Sequence, residues 1–179
     1  MCDWVCYFIV SLNKLEPGSK KKKKYSILTY IGASNNQPKR LNAHNDSNPN
    51  KKRVGAKRTR GRIWVPIIVV SGFENKKSCL SFEAGWKRLA RNRNNKKLFL
   101  INLMANTNLS YTGDPRWNRL VDLLYFVHNF TFIGTKFCLN YDLRHPVYQV
   151  NGLRVKIFME EWICDLPWPH FISFEMATI

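Results

Sequence analysis

Arg40 and His44 stand four residues apart, a spacing that puts both on one face of a helix. An arginine beside a histidine suits a pentavalent phosphate: the guanidinium forks onto the equatorial oxygens and the imidazole handles a proton. The same pair also fits a plain phosphate grip with a surface histidine next to it. Carboxylates are scarce around them. Residues 1–90 contain only Asp3, Glu16, Asp46, Glu74 and Glu83, widely scattered. Two-metal hydrolysis needs several clustered carboxylates, and this scatter argues against it. A single Mg²⁺ needs less, since one carboxylate can hold it together with a substrate phosphate and waters. Glu83, on a predicted helix, is the best-placed ligand, although a surface helix glutamate would look the same.

The charge of the chain names the class of partner. In 179 residues there are 29 Lys and Arg against 12 Asp and Glu, a net charge of +17. Fourteen of those cations lie in residues 20–62, where Asp46 is the one acid. They fall in blocks: Lys20 to Lys24, Lys39-Arg40, Lys51-Lys52-Arg53, and Lys57-Arg58-Thr59-Arg60-Gly61-Arg62. Such blocks can be solvated loop or localisation signal, but they alternate with structured segments, which favours contact with a polyanion, nucleic acid first. Lys39, Lys51, Lys52, Arg53, Lys57, Arg58, Arg60 and Arg62 are the expected backbone contacts, and counterion release would make their grip steeply salt-dependent. Hydrophobic residues at 45% leave enough apolar material for a core, so the chain is not a disordered basic tail.

The elements that must position these residues read as α+β. Tyr7 to Leu12 and Ser26 to Ile31 are strand-like and form a hairpin with a long lysine-rich connection. Pro38 opens a short helix toward His44. Residues 45–62 read as loop, and Val65 to Val70 as a third strand in which Pro66 hints at an edge or a strand start. Ser78 opens a second helix, with Cys79, Phe82, Trp86 and Leu89 on its buried face. Residues 1–90 thus read β-β-α-β-α and form one expected domain. Arg91 to Lys97 is a polar break, and residues 91–179 form an extension of unknown role. That extension is helical over 119–130, with strands at Thr131 to Asn140 and Gly152 to Phe158, and either packs on the first domain or forms a small appendage.

Further classes are set aside. The longest apolar stretch, Ile63 to Val70, is well short of the roughly 18 residues a membrane span needs, so no membrane partner is expected. Met1-Cys2-Asp3-Trp4 carries no basic leader pattern. The five cysteines form no C-x-x-C pair, which points to free thiols in a reducing compartment, nuclear or cytoplasmic, and to no zinc.

Tyr30-Ile31-Gly32, then Asn36, Arg40 and Ala43-His44-Asn45, resembles the second half of the GIY-YIG nuclease signature. The first half is degenerate, with Val5-Cys6-Tyr7 where Gly-Ile-Tyr is usual, and Tyr7 to Asn13 supports the register. Gly55 to Arg62, Val69-Val70-Ser71-Gly72-Phe73 and Phe82-Glu83-Ala84-Gly85-Trp86 resemble one branch of that family. This branch is the catalytic subunit of the eukaryotic Slx-type endonuclease, which cuts flaps and Holliday junctions with a large scaffold partner. The resemblance covers residues 4–90.

It implies a GIY-YIG fold, a small three-stranded antiparallel sheet flanked by helices, with the C-terminal α+β extension added. It implies a Mg²⁺-dependent (or Mn²⁺-dependent) endonuclease acting on branched DNA in repair or recombination. By resemblance Glu83 holds the metal, Arg40 stabilises the scissile phosphate, Tyr7 is the general base or water-orienting group with His44 assisting, and Tyr30 walls the site. Gly32 would let the backbone approach the substrate. The branch's RING-type zinc domain needs clustered Cys and His. Here Cys138, Cys164, His128, His145 and His170 show no ligand spacing, which puts a scaffold partner in doubt. A compact form of this kind would suit a large DNA virus. The competing expectation is a catalytically inactive nucleic-acid-binding protein on the same scaffold.

Overall fold

The computed structural model describes residues 4–12, 27–46, 56–59, 62–89, 115–133, 136–139, 153–158, 161–169 and 172–177. Strands β1 (Val5–Leu12) and β2 (Leu28–Ser34) pair antiparallel with Tyr7 opposite Gly32 and Ile9 opposite Tyr30. The second strand runs three residues beyond its expected end, carrying Gly32 into the ladder. Helix α1 (Gln37–Asn45) follows, capped by Asn36, whose side chain accepts the Lys39 N–H at 3.0 Å. His44 is the buried residue of this polar helix, so α1 depends less on an apolar stripe than on what its last turn bonds.

Strand β3 (Ile63–Ser71) pairs with the other side of β1, giving the three-stranded antiparallel sheet expected from the family resemblance. Pro66 is paired with β1 on one side only, because the further strand beside β3 pairs with residues 68–71, so its missing N–H falls where β3 is locally an edge. The register of β1 and β3 shifts between Phe8 and Ile9: Phe8 faces Ile68 and Ile9 faces Pro66, leaving Ile67 as the extra residue. The bulge adds one residue to β3 next to Pro66.

Helix α2 (Lys76–Leu89) starts two residues before Ser78. Asn75 is the reason: its side chain accepts the Ser78 N–H at 2.9 Å and so caps the helix. Helix α3 (Pro115–Asn129) likewise starts earlier than expected. The stretch read as one strand at 131–140 is a hairpin of β4 (Phe130–Ile133) and β5 (Lys136–Leu139).

The C-terminal part joins the first instead of standing apart. Strand β6 (Arg154–Phe158) pairs antiparallel with residues 68–71 of β3, and β7 (Ser173–Ala177) pairs parallel with β6. The sheet order is β2-β1-β3-β6-β7. Side chains alternate across β1, and both faces are covered. Cys6, Phe8 and Val10 enter the main core with Phe82, Trp86, Leu120, Leu124 and Phe126 of the two long helices. Tyr7 and Ile9 enter a smaller cluster with Trp64 and Val69, against which Tyr30 and Leu41 pack. The expected apolar face of α2 is the buried one.

Candidate active site

The strand alternation that sends Phe8 into the main core turns Tyr7 toward α1. There its Oη lies 2.9 Å from Nε2 of His44. The rings of Tyr7, Tyr30 and His44 stand within 6.4 Å of one another, centre to centre, with Tyr30 and His44 at 5.1 Å. Trp64 closes the group edge-on to Tyr30 at 6.3 Å. The Arg40 guanidinium acts on the hydroxyls of both Tyr7 and Tyr30, which in turn stabilise its charge. Five side chains from four elements thus meet on one face of the three-stranded sheet.

Their electrostatics follow from burial. Tyr7, 1% exposed, is held above the ordinary tyrosine range by loss of water, against the pull of the Arg40 hydrogen bond. His44 is pushed down to about 4, first by burial and then by the positive charge of Arg40. Burial works against the Arg40 charge, but its bonds to Tyr7 and Tyr30 outweigh that and raise its pKa. At neutral pH the site therefore holds a neutral phenol, a neutral imidazole and a fixed cation.

Glu83 lies on α2, close enough for its negative charge to raise Tyr7 further. Its carboxylate forms an ion pair with Lys87 one turn on. The Lys87 ammonium sits 5.5 Å from the centre of the Tyr30 ring, so Glu83 and Tyr30 share one cation. Among the described residues no three His, Cys, Asp or Glu side chains come together. The donor set is one carboxylate, 16% exposed, already facing a positive charge. That fits a hard divalent ion that keeps most of its waters, and it does not fit a caged ion.

The expected DNA contacts divide. Lys39 and Arg58 are exposed and Arg62 is half-buried. Lys51, Lys52, Arg53 and Arg60 lie outside the described residues, as do the lysine run at 20–24, His145 and His170. Of the remaining candidates for a zinc site, His128 bonds the Pro167 carbonyl at 2.7 Å and Cys164 contacts Met176.

Sequence reasoning overlooked the support around this cluster. Residues 57–59, read as loop, form a 3-10 turn that delivers the buried Thr59 hydroxyl 2.7 Å from Nδ1 of His44. Asn45 clamps the main chain of Trp64, accepting its N–H at 2.7 Å and donating to its carbonyl at 3.0 Å. The one signal for Thr59 was a neutral residue inside a run of cations. For Lys87 it was the i,i+4 spacing from Glu83.

The GIY-YIG catalytic domain family matches residues 3–97, more than half of the chain. The chain belongs to the GIY-YIG nucleases. Three relatives place this GIY-YIG nuclease among its kin. The "Uncharacterized protein L300" of Acanthamoeba polyphaga mimivirus is 54% identical over 178 residues, 99% of each chain. The "Structure-specific endonuclease subunit slx1" of Schizosaccharomyces pombe is 32% identical over 94 residues, 52% of this chain and 30% of that protein. A UPF0213 protein of Clostridium perfringens is 43% identical over 72 residues, 40% of this chain and 68% of that one. The likeness to the yeast protein thus covers about half of this chain and under a third of that protein. Among the described residues, no helix of this GIY-YIG nuclease is long and apolar enough to cross a membrane.

Proposed function

We propose that this GIY-YIG nuclease hydrolyses phosphodiester bonds in branched DNA, with Mg²⁺ held at Glu83. The observation that carries the reading is the bonded cluster of Tyr7, Arg40 and His44 beside the Glu83 carboxylate. Arg40 forks onto the oxygens of the scissile phosphate. Water attacks phosphorus in line with the leaving oxygen, and the bond to that oxygen breaks. Tyr7 takes the proton of the water while its own proton passes to Nε2 of His44, so neither residue needs to be ionised beforehand. When Arg40 engages a phosphate its charge is compensated, which relieves the smaller of the two causes that depress His44, burial being the larger. A divalent ion at Glu83 supplies positive charge to the phosphate and the leaving oxygen. Tyr30 walls the site and holds Arg40 through its hydroxyl.

Branched substrate is supported by the yeast relative, a structure-specific endonuclease subunit. It is also supported by a charge distribution suited to gripping backbone over sequence. Lys39, Arg58 and Arg62, with Lys51, Lys52, Arg53, Lys57 and Arg60, make those contacts. The mimivirus relative supports a virus-encoded enzyme, and repair or recombination is the role that branched substrates would give it.

The test is cleavage of labelled 5′-flap, four-way junction and linear duplex in Mg²⁺ and in Mn²⁺, with Glu83→Gln alongside. Cutting of the branched substrates, lost in the variant while binding stays, is the expected result. Equal cutting of linear duplex would overturn the substrate class. Tight binding without cutting in either metal would overturn the mechanism.

A further inference from the structure

Thr59 takes no part in the chemistry above, yet its side chain is the second partner of His44. It is fully buried, between Arg58 and Arg60 in sequence. Its hydroxyl touches two groups: the Ala56 carbonyl at 2.9 Å and Nδ1 of His44 at 2.7 Å. A hydroxyl has one proton to give, and a carbonyl can only accept. The Thr59 proton therefore goes to Ala56, and its oxygen can only accept from His44. Nδ1 must bring the hydrogen, which leaves Nε2 bare.

The other end of the imidazole agrees independently. Tyr7 has one hydroxyl proton and is bonded both by Arg40, which has donors alone, and by His44. Arg40 has no acceptor for that proton, so within this group the Tyr7 hydroxyl donates to a bare Nε2. The reverse tautomer would turn Nε2–H toward the Tyr7 oxygen, leaving the Tyr7 proton no acceptor in this group. It would also turn the Thr59 hydroxyl proton to Nδ1 from the Ala56 carbonyl, which also accepts the Thr59 N–H at 3.0 Å. Every hydrogen bond in the cluster is satisfied in one orientation of the chain, running Tyr7 to His44 to Thr59 to Ala56.

We propose that Thr59 is a positioning residue that locks His44 as the Nδ1–H tautomer and so keeps Nε2 free to receive the Tyr7 proton. The lock is held in turn by Trp64. The Trp64 indole donates to the Thr59 carbonyl at 2.7 Å, while its main chain is clamped by Asn45, the neighbour of His44. The turn that offers the hydroxyl and the helix end that offers the imidazole are thus pinned to the same residue. The catalytic meaning of the lock rests on the relay proposed for Tyr7 and His44, whereas the tautomer itself does not.

Two readings separate them. Long-range ¹H–¹⁵N correlation at neutral pH, with His44 assigned by its loss in His44→Asn, should show a protonated Nδ1 and a bare Nε2 in the wild type. Thr59→Val keeps the shape and removes the hydroxyl, and should give mixed or inverted protonation. Thr59→Ser should restore the wild-type pattern. In cleavage assays Thr59→Val should lower kcat about 10- to 100-fold with KM nearly unchanged, with Thr59→Ser recovering most of it. A wild type with Nε2 protonated would overturn the proposal even if Thr59→Val failed to fold. So would a folded Thr59→Val with the wild-type tautomer. A wild type that shows the expected tautomer and cuts no DNA would overturn the relay and leave the lock standing.

Discussion

A Cβ placed on Gly32 would fall 2.5 Å from the Tyr7 hydroxyl oxygen and 2.9 Å from the Tyr30 ring. The two residues are ladder partners on adjacent strands, and the glycine is the space in which the tyrosine ring lies. Gly32→Ala must push both rings aside. Displacement of a reacting group by about 1 Å costs on the order of 100-fold in rate, so cutting should fall by about that factor while circular dichroism stays native. Single-turnover cleavage with matched spectra checks this.

The depressed pKa of His44 links stability to acid. In the unfolded chain the imidazole titrates at its ordinary 6.5, and in the folded protein at about 4. Between those values the unfolded state binds more protons, so stability is full above about 6.5 and drains away as pH falls toward 4. The loss attributable to His44 is at most about 3 kcal/mol. Urea titrations at pH 7.5 and pH 5 should show it, and His44→Asn should shrink the difference between them.

Catalysis should follow the same group with a different signature. The acid limb of kcat/KM reports groups of the free enzyme. A His44 that stays neutral down to about 4 leaves activity unbroken through pH 6, where an ordinary histidine would be protonating. A midpoint near 6.5 that vanishes in no other variant would contradict the buried, Arg40-flanked state of this imidazole.

Lys87 competes with any cation for Glu83. Exposed ion pairs are worth about 1 kcal/mol at most, so Lys87→Met should tighten Mn²⁺ binding by no more than about fivefold. Glu83→Gln should abolish that binding. Calorimetric titration of Mn²⁺ without DNA distinguishes the two variants before any cleavage is measured.

Gly85 of α2 meets the Phe126 ring of α3, where no Cβ fits without movement. The same ring stacks against Phe82 at 5.0 Å, and Trp86 bonds the Arg119 carbonyl at 3.0 Å. The helix that carries Glu83 is therefore seated on the C-terminal part. Gly85→Ala should destabilise by about 1–3 kcal/mol through overpacking, and Phe126→Leu in the same chain should recover part of it. Thermal unfolding of the single and double variants is the measure.

Much of the nuclease fold was legible because its signals are local. Strand-forming apolar runs, Pro38 in a first turn and the spacing of Cys79, Phe82 and Trp86 gave β-β-α-β-α in the right order. Errors fell at ends, where one side chain such as Asn75 decides the first turn.

Residue type and spacing singled out Arg40, His44 and Glu83, because chemistry limits which side chains can handle a phosphate, and the resemblance to the GIY-YIG signature added Tyr7 and Tyr30. What they could not supply was direction. The second hydrogen-bond partner of His44 comes from a turn fifteen residues further along the chain, and the seating of Glu83 depends on a helix beyond residue 114. Hydrogen-bond polarity and packing are properties of neighbours, and those neighbours come together only when the chain has folded.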